Sequence, residues 1–210
     1  MRPDRVAAVL LAAGNSTRFG DEDKLMAEHC GKPLIVHALE AVASIPFKYH
    51  IAVVRPIALA PIIHRKLDRR GYTLLVNDDP EGGLSSSIRI AAAHVAQLRC
   101  NGMLMCLADM PHVPQSHLMR LVLTAEDIRS VVGSTDGFTP GPPAFFGRRH
   151  FAELQALKGD LGARALISQN LLLETSGALL HDVDTPEDLR PAEPAKATES
   201  TSEPGAVGSD

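Results

Sequence analysis

The residues best suited to chemistry in this 210-residue chain stand directly after apolar runs. The first cluster reads Leu11-Ala12-Ala13-Gly14-Asn15-Ser16-Thr17-Arg18-Phe19-Gly20, with Lys24 shortly beyond. Small residues let backbone N–H groups approach a phosphate closely, and Arg18 and Lys24 can neutralise its charge. It is not a Walker loop, which needs Gly-Lys followed by Ser or Thr. Nor is it a G-x-G-x-x-G fingerprint, because Gly14 and Gly20 stand too far apart. Composition alone also fits an ordinary strand-to-helix loop with surface Arg and Lys. A second cluster, Asn77-Asp78-Asp79-Pro80-Glu81-Gly82-Gly83-Leu84-Ser85-Ser86-Ser87, reads as a glycine turn entering a serine-capped helix. The N-terminus of such a helix can also hold an anion or read the edge of a base.

Two carboxylates complete the set. Asp109 follows an apolar run in Leu107-Ala108-Asp109-Met110-Pro111, and Asp184 stands comparably in His181-Asp182-Val183-Asp184-Thr185-Pro186-Glu187-Asp188-Leu189. Asp109 alone also fits a simple cap for the helix region that begins at Pro114. Two carboxylates beside a polyphosphate repel it, by about 4 kcal/mol per unit-charge pair at 4 Å and an effective dielectric of 20. A divalent cation between them removes that conflict, and hard oxygen ligands suit Mg²⁺. The nine histidines contain no H-x-H or H-x-x-x-H pair of the kind that favours zinc. No G-x-S-x-G elbow exists, which argues against a serine hydrolase. The run bearing His64, Arg65, Lys66, Arg69 and Arg70 has no interleaved aromatic and reads as a solvated helix face.

These clusters need a scaffold, and the hydrophobic pattern supplies one. Residues 6–11 form an unbroken apolar run, as expected of a strand buried on both faces. Residues 34–43 follow Gly31-Lys32-Pro33 with helical spacing, the proline suiting a first helical position. The alternation continues with strands at 51–54, 72–76 and 103–107 and helices at 60–70, 85–98 and 114–123. Strands interleaved with such helices make a parallel sheet covered on both faces. A strand is expected at 129–132, then a loop over 133–143 that covers a site, then a short strand at 144–146. Helices at 151–157 and 163–168 and strands at 171–174 and 179–183 follow, and Thr185-Pro186 starts a last helix. In such a sheet ligands bind beyond the carboxyl ends of the strands, where all four clusters stand.

Composition bounds the function. The chain carries 21 Lys plus Arg against 25 Asp plus Glu, and residues 191–210 hold four acids and one Lys. The body is therefore near neutral, which argues against general nucleic-acid binding. Residues 1–190 read as one domain and residues 191–210 as a disordered acidic tail. A fold of this length hides roughly 70% of its unfolded surface and needs no disulfide. Cys30, Cys100 and Cys106 show no C-x-x-C spacing, which fits a reduced, cytoplasmic setting. The apolar run after Met1-Arg2-Pro3-Asp4-Arg5 is short, preceded by an acid and followed by no cleavage site, so it is not expected to be a signal peptide. No stretch approaches the roughly 20 apolar residues that cross a bilayer, so no membrane association is expected.

The pattern Leu11-Ala12-Ala13-Gly14-x-Ser16-x-Arg18-Phe19-Gly20-x-x-x-Lys24-Leu25, with Gly31-Lys32-Pro33-Leu34, resembles the N-terminal signature of nucleotidyltransferases that move a nucleoside monophosphate from an NTP. Leu107-Ala108-Asp109-Met110-Pro111 resembles their metal-binding segment. Three later pieces resemble the molybdenum cofactor cytidylyltransferase branch of the MobA-like group. They are Pro143-Ala144-Phe145-Phe146, Leu157-Lys158-Gly159-Asp160-Leu161-Gly162-Ala163-Arg164 and Asp182-Val183-Asp184-Thr185-Pro186-Glu187-Asp188-Leu189. One departure is Ala91, where the family usually has Gly.

The resemblance implies a three-layer α/β/α sandwich with a Rossmann-like, mostly parallel sheet of the nucleotide-diphospho-sugar transferase type. The implied reaction is Mg²⁺-dependent transfer of CMP from CTP to the phosphate of molybdopterin, releasing pyrophosphate, with a molybdoenzyme as recipient of the product. By the same resemblance Leu11, Ala12, Ala13 and Gly14 hold the nucleotide, and Asn77, Ser86 and Ser87 lie near the base. Arg18 and Lys24 stabilise phosphate charge, and Asp109 and Asp184 bind the metal. Arg18, Lys24 and Asp109 are the expected catalytic residues. The rival readings are a guanylyltransferase, a sugar- or polyol-phosphate cytidylyltransferase of the same fold, and a non-catalytic maturation factor for a molybdoenzyme.

Overall fold

The structure, a computed structural model, describes residues 1–14, 19, 23–79, 82–159 and 163–189. Arg18 and the 191–210 tail lie outside the described residues. Strand β1 (Val6–Ala12) is buried at every position, because it stands mid-sheet with a core on either side. Val6, Ala8, Leu10 and Ala12 enter one core, and Ala7, Val9 and Leu11 enter the other. The period of two along a strand divides a continuous apolar run between two layers.

A small hairpin follows, β2 (Glu28–His29) with β3 (Lys32–Pro33). Its two-residue turn, Cys30-Gly31, has φ of 48° and 77°. Positive φ at both positions matches the right-handed twist of a hairpin, and Gly31 adopts it without strain. Helix α1 (Leu34–Ala43) buries Leu34, Ile35, Ala38, Leu39 and Val42, one face at helical spacing. Then come β4 (Tyr49–Val54), α2 (Pro61–Asp68), β5 (Thr73–Val76), α3 (Gly83–Gln97), β6 (Gly102–Leu107) and α4 (Gln115–Thr124). The last third adds β7 (Val131–Thr135), β8 (Pro140–Gly147), α5 (Phe151–Gln155), α6 (Arg164–Ser168), β9 (Leu171–Glu174) and α7 (Gly177–Leu180).

The main sheet has seven strands in the order β5-β4-β1-β6-β8-β7-β9. Strand β8 runs antiparallel to both neighbours, while the other pairings are parallel. With helices on both faces and a separate apolar core on each side of the sheet, this is the expected three-layer α/β sandwich. Arg65 on α2 and Arg69 and Arg70 just past its end are exposed as expected, but His64 is buried and its Nε2 bonds the Arg55 carbonyl at 2.7 Å.

Three sequence expectations are corrected. The 133–143 loop shrinks to the turn at 136–139, because β7 and β8 extend through the glycines and prolines. The register explains why the prolines are tolerated. Strand β8 pairs with β6 only from Ala144 to Gly147, so Pro140, Pro142 and Pro143 face no β6 ladder that would need their missing N–H. The strand expected at 179–183 is absent. Gly177–Leu180 is a helical turn instead, and 181–184 belongs to no helix or strand. The helix expected at Thr185-Pro186 is a single 3₁₀ turn, Pro186–Leu189.

Candidate active site

Three segments meet beyond the carboxyl ends of β1 and β6, each fixed by backbone bonds. The Ala108 N–H donates to the Leu11 carbonyl at 3.0 Å, tying the two strand exits together just before Asp109. The Val183 N–H donates to the Asp109 carbonyl at 2.9 Å, and the Val183 side chain is fully buried. That bond brings Asp184 beside Asp109 across 75 residues of chain. Asp188 then fixes the Asp184 backbone. Its Oδ2 accepts the N–H groups of Asp184 (2.9 Å) and Thr185 (2.8 Å) and the Thr185 hydroxyl (3.0 Å). The two backbone donors hold the Asp188 carboxyl down at about 2.

Lys24 closes the cluster. It opens the 3₁₀ turn Lys24–Met26 and is 8% exposed, so only its head reaches the site. Its Nζ donates to Asp109 Oδ2 at 2.8 Å and to Asp184 Oδ1 at 3.2 Å. Burial works to lower the Lys24 pKa, but the Asp109 charge and the hydrogen bonds to both carboxylates outweigh it and leave it above the ordinary lysine value. Asp109 moves the other way for a carboxylate in an ion pair. Burial pushes its pKa up against the pull of Lys24, and nearby Asp182 adds to the rise. The cluster thus gathers carboxylate oxygens of two aspartates around one ammonium, partly out of water, and oxygen donors are what a hard divalent cation takes. No described helix is capped by Asp109; the N-cap of α4 is Pro114, with no side-chain bond.

The opposite wall is the start of α3. Asn77, 1% exposed, donates from Nδ2 to Ser86 Oγ (2.8 Å) and Ser87 Oγ (3.0 Å). Its Oδ1 accepts the Asp79 N–H at 3.0 Å. Ser86 Oγ in turn lies 2.9 Å from the Asp79 and Gly83 carbonyls, and Ser85 Oγ donates to the Gly159 carbonyl. The serines are thus packed inside the first turn. The expected serine cap is corrected to an N-cap at Gly82 with no side-chain bond.

A cavity of about 220 Å³ lies between these walls, lined by Leu11, Ala13, Gly14, Gly83, Ser87 and Asp109 among others. The structure therefore brings Leu11, Ala13, Gly14, Ser87 and Asp109 to one space, with Lys24 and Asp184 joined through Asp109. Ala12 points into the opposite core, and Asn77 and Ser86 brace the helix start from behind rather than lining the cavity. A second cavity of about 410 Å³ adjoins it, sharing Leu84 and Leu107 as wall. Asp136, Pro142, Arg164, His181 and Asp182 line it, and none was singled out for chemistry in the sequence. The signal available was the Gly- and Pro-rich stretch at 133–143. There β8 parts from β6, and the parting leaves the notch between Leu107 and Pro142.

A small-residue loop, a helix N-terminus and a paired carboxylate–lysine cluster at the carboxyl end of a mostly parallel sheet define a nucleotidyltransferase domain. The chain belongs to the MobA-like NTP transferase domain family, which it matches over residues 8–175. It is 30% identical over 202 residues to the purine catabolism protein PucB of Bacillus subtilis strain 168, spanning 90% of this chain and 96% of that protein. The crystal structure of Rv0371c from Mycobacterium tuberculosis H37Rv superposes with a TM-score of 0.75 at 28% identity, covering 90% of this chain and 96% of that one. Its complex with manganese gives a TM-score of 0.72 at 26% identity, covering 88% and 95%. Molybdopterin-guanine dinucleotide biosynthesis protein A from Archaeoglobus fulgidus shares the fold at 19% identity, with a TM-score of 0.62 over 87% of this chain and 94% of that one. No described helix is long and apolar enough to cross a membrane.

Proposed function

We propose that this chain transfers CMP from CTP to the phosphate of molybdopterin, with Mg²⁺ bound by Asp109 and Asp184 and release of pyrophosphate. The observation that carries the reading is the pair of adjoining cavities with the Lys24–Asp109–Asp184 cluster beside their junction. The smaller cavity suits a nucleotide, because Ala13, Gly14 and the first residues of α3 line it, and the first N–H groups of a helix have no partner within the helix. The larger suits the acceptor, and Arg164 in its wall matches an acceptor phosphate. The late motifs around Pro143, Arg164 and Asp184 support molybdopterin, as does the shared fold of the A. fulgidus protein.

In the reaction an oxygen of the acceptor phosphate attacks the α-phosphorus of CTP, and the bond to the departing pyrophosphate breaks. The acceptor is already an anion, so no strong general base is needed, and catalysis rests on alignment and charge neutralisation. Lys24 and Arg18 balance charge that gathers on the leaving group. The carboxylate oxygens of Asp109 and Asp184 are the hard donors a divalent ion takes, and the manganese complex of Rv0371c supports metal use in a relative. When bound, Mg²⁺ supplies Lewis-acid neutralisation of phosphate charge.

Selection of CTP follows from close approach at Ala13 and Gly14, just past the end of β1, where backbone N–H groups match the cytosine carbonyl. A wrong base leaves such groups unpaired at about 1–3 kcal/mol each. Incubation with molybdopterin, Mg²⁺ and each NTP, followed by pyrophosphate measurement, tests the proposal. CTP is expected to exceed GTP at least about tenfold in kcat/KM, and Ala13→Leu is expected to harm CTP use more than folding. Equal use of both, or preference for GTP, overturns the cytidylyl assignment.

A further inference from the structure

The lysine of the site is held by a chain of contacts that begins on a neighbouring strand. Arg55 directly follows β4, and the register partner of its neighbour Val54 is Ala12 on β1. The Arg55 backbone thus leaves the sheet beside the small-residue loop. Its guanidinium turns back onto the far end of that loop, donating to Asp23 Oδ2 at 2.6 Å. The two side chains are only 12% and 22% exposed, so water screens this pair weakly. The other carboxylate oxygen of Asp23 accepts the Leu25 N–H at 3.1 Å and so caps the 3₁₀ turn that Lys24 opens. Lys24 then reaches Asp109 and Asp184. At the other end, the Arg55 backbone is fixed from α2 by the bond between its carbonyl and His64 Nε2.

Arg55 Nε is buried without a hydrogen-bond partner among the described residues. A guanidinium that leaves one donor unpaired is not placed there to maximise its own hydrogen bonds. Its short, charge-assisted contact is spent on Asp23, where direction matters more than net stability.

We propose that Arg55 is a positioning residue for the transfer reaction: through Asp23 it sets the turn that delivers the Lys24 ammonium between Asp109 and Asp184. The inference rests on the role given to Lys24 above. Nothing in the sequence motifs marks Arg55, because its effect passes through the Asp23 cap rather than through a contact with phosphate.

The test is a double-mutant cycle of Arg55→Ala with Lys24→Ala, read as kcat/KM for CTP by pyrophosphate release and as CTP affinity by calorimetry. Arg55→Ala alone is expected to lower kcat/KM about tenfold or more, the order expected of a misplaced catalytic group. On the Lys24→Ala background it is expected to cost less than about twofold, because the group it positions is gone. Arg55→Lys is expected to restore part of the loss, since an ammonium reaches one carboxylate oxygen without the planar fork. Equal losses on both backgrounds would mean a general structural role and overturn the proposal. Should Arg55→Ala fail to fold, Asp23→Asn replaces it in the cycle, keeping an oxygen for the Leu25 cap while losing the charge. If Lys24→Ala lowers the rate and neither Arg55→Ala nor Asp23→Asn does, this inference alone falls. If Lys24→Ala leaves the rate unchanged, the site reading falls and takes this inference with it.

Discussion

Replacing Lys24 with Met keeps the buried stem and removes the ammonium that bridges Asp109 and Asp184. A unit charge about 3 Å from an opposite charge attracts it by roughly 5 kcal/mol at an effective dielectric near 20. Desolvation of the partners offsets much of that gain in the folded protein. The substitution keeps the desolvation of Asp109, whose side chain is 23% exposed, and removes its compensation. Breaking a buried pair from one side costs about 3–5 kcal/mol. Asp184 is 41% exposed, so solvent screens its share and the low end, about 3 kcal/mol, is expected. For a domain of this size that corresponds to a fall of roughly 6–12 °C in Tm, measurable by scanning calorimetry at pH 7. Added Mg²⁺ should raise the Tm of the variant more than that of the wild type, because the ammonium no longer competes for the Asp109 carboxylate and the unfolded chain does not bind the ion. The same protein should lose at least about 100-fold in kcat/KM. A Tm within about 2 °C of wild type, with turnover intact, would show that the cluster behaves as an ordinary surface pair and refute the reasoning.

Asn77→Ala removes both donors to Ser86 and Ser87, and a loss of about 2–3 kcal/mol in urea unfolding is expected. KM for the NTP should rise several-fold because Ser87 lines the smaller cavity, and an unchanged KM would show that the start of α3 holds itself. His117 is 3% exposed, its Nε2 lies 2.8 Å from Ser134 Oγ, and burial, helped by Arg120, holds its pKa below the ordinary value. The folded state therefore resists a proton that the unfolded chain takes up below about pH 6.5, so this contribution to stability is present above that pH and lost as pH falls. His117→Gln should flatten the decline of Tm as pH falls below about 6.5, and an unchanged slope would exclude His117 as its source.

The central strands were legible because a strand buried on two faces leaves no other reading for Val6-Ala7-Ala8-Val9-Leu10-Leu11. The bounds of α1 were equally plain, set by Pro33 and by apolar residues at helical spacing. Residues 133–143 misled because Gly133, Gly141 and three prolines spell a loop wherever strands must be paired on both sides. Here β8 is unpaired toward β6 at its prolines, a fact of register that no local pattern carries. Ala178-Leu179-Leu180 is too short to separate a strand from a helical turn by period. In the site, Asp109 and Lys24 were marked by their position after strands and by motif. Arg164, His181 and Asp182 gather around a cavity only once the chain folds back, and Arg55 acts through a partner. Asn77 shows the reverse case, a residue rightly noticed whose hydrogen bonds turn inward.

The two cavities are built by different lengths of the chain. Residues between Leu11 and Asp109 line the smaller one, whereas the larger draws mainly on Asp136 to Asp182, and among the described residues only Leu84 and Leu107 serve both. On the proposed function, the recipient of the nucleotide is then recognised by residues 136–182, which can diverge while Lys24, Asp109 and Asp184 stay fixed. Descent with modification in such a protein would change clients without reinventing the reaction. A chimaera carrying the later segment of a relative, joined in α4, should inherit that relative's acceptor and retain its own nucleotide.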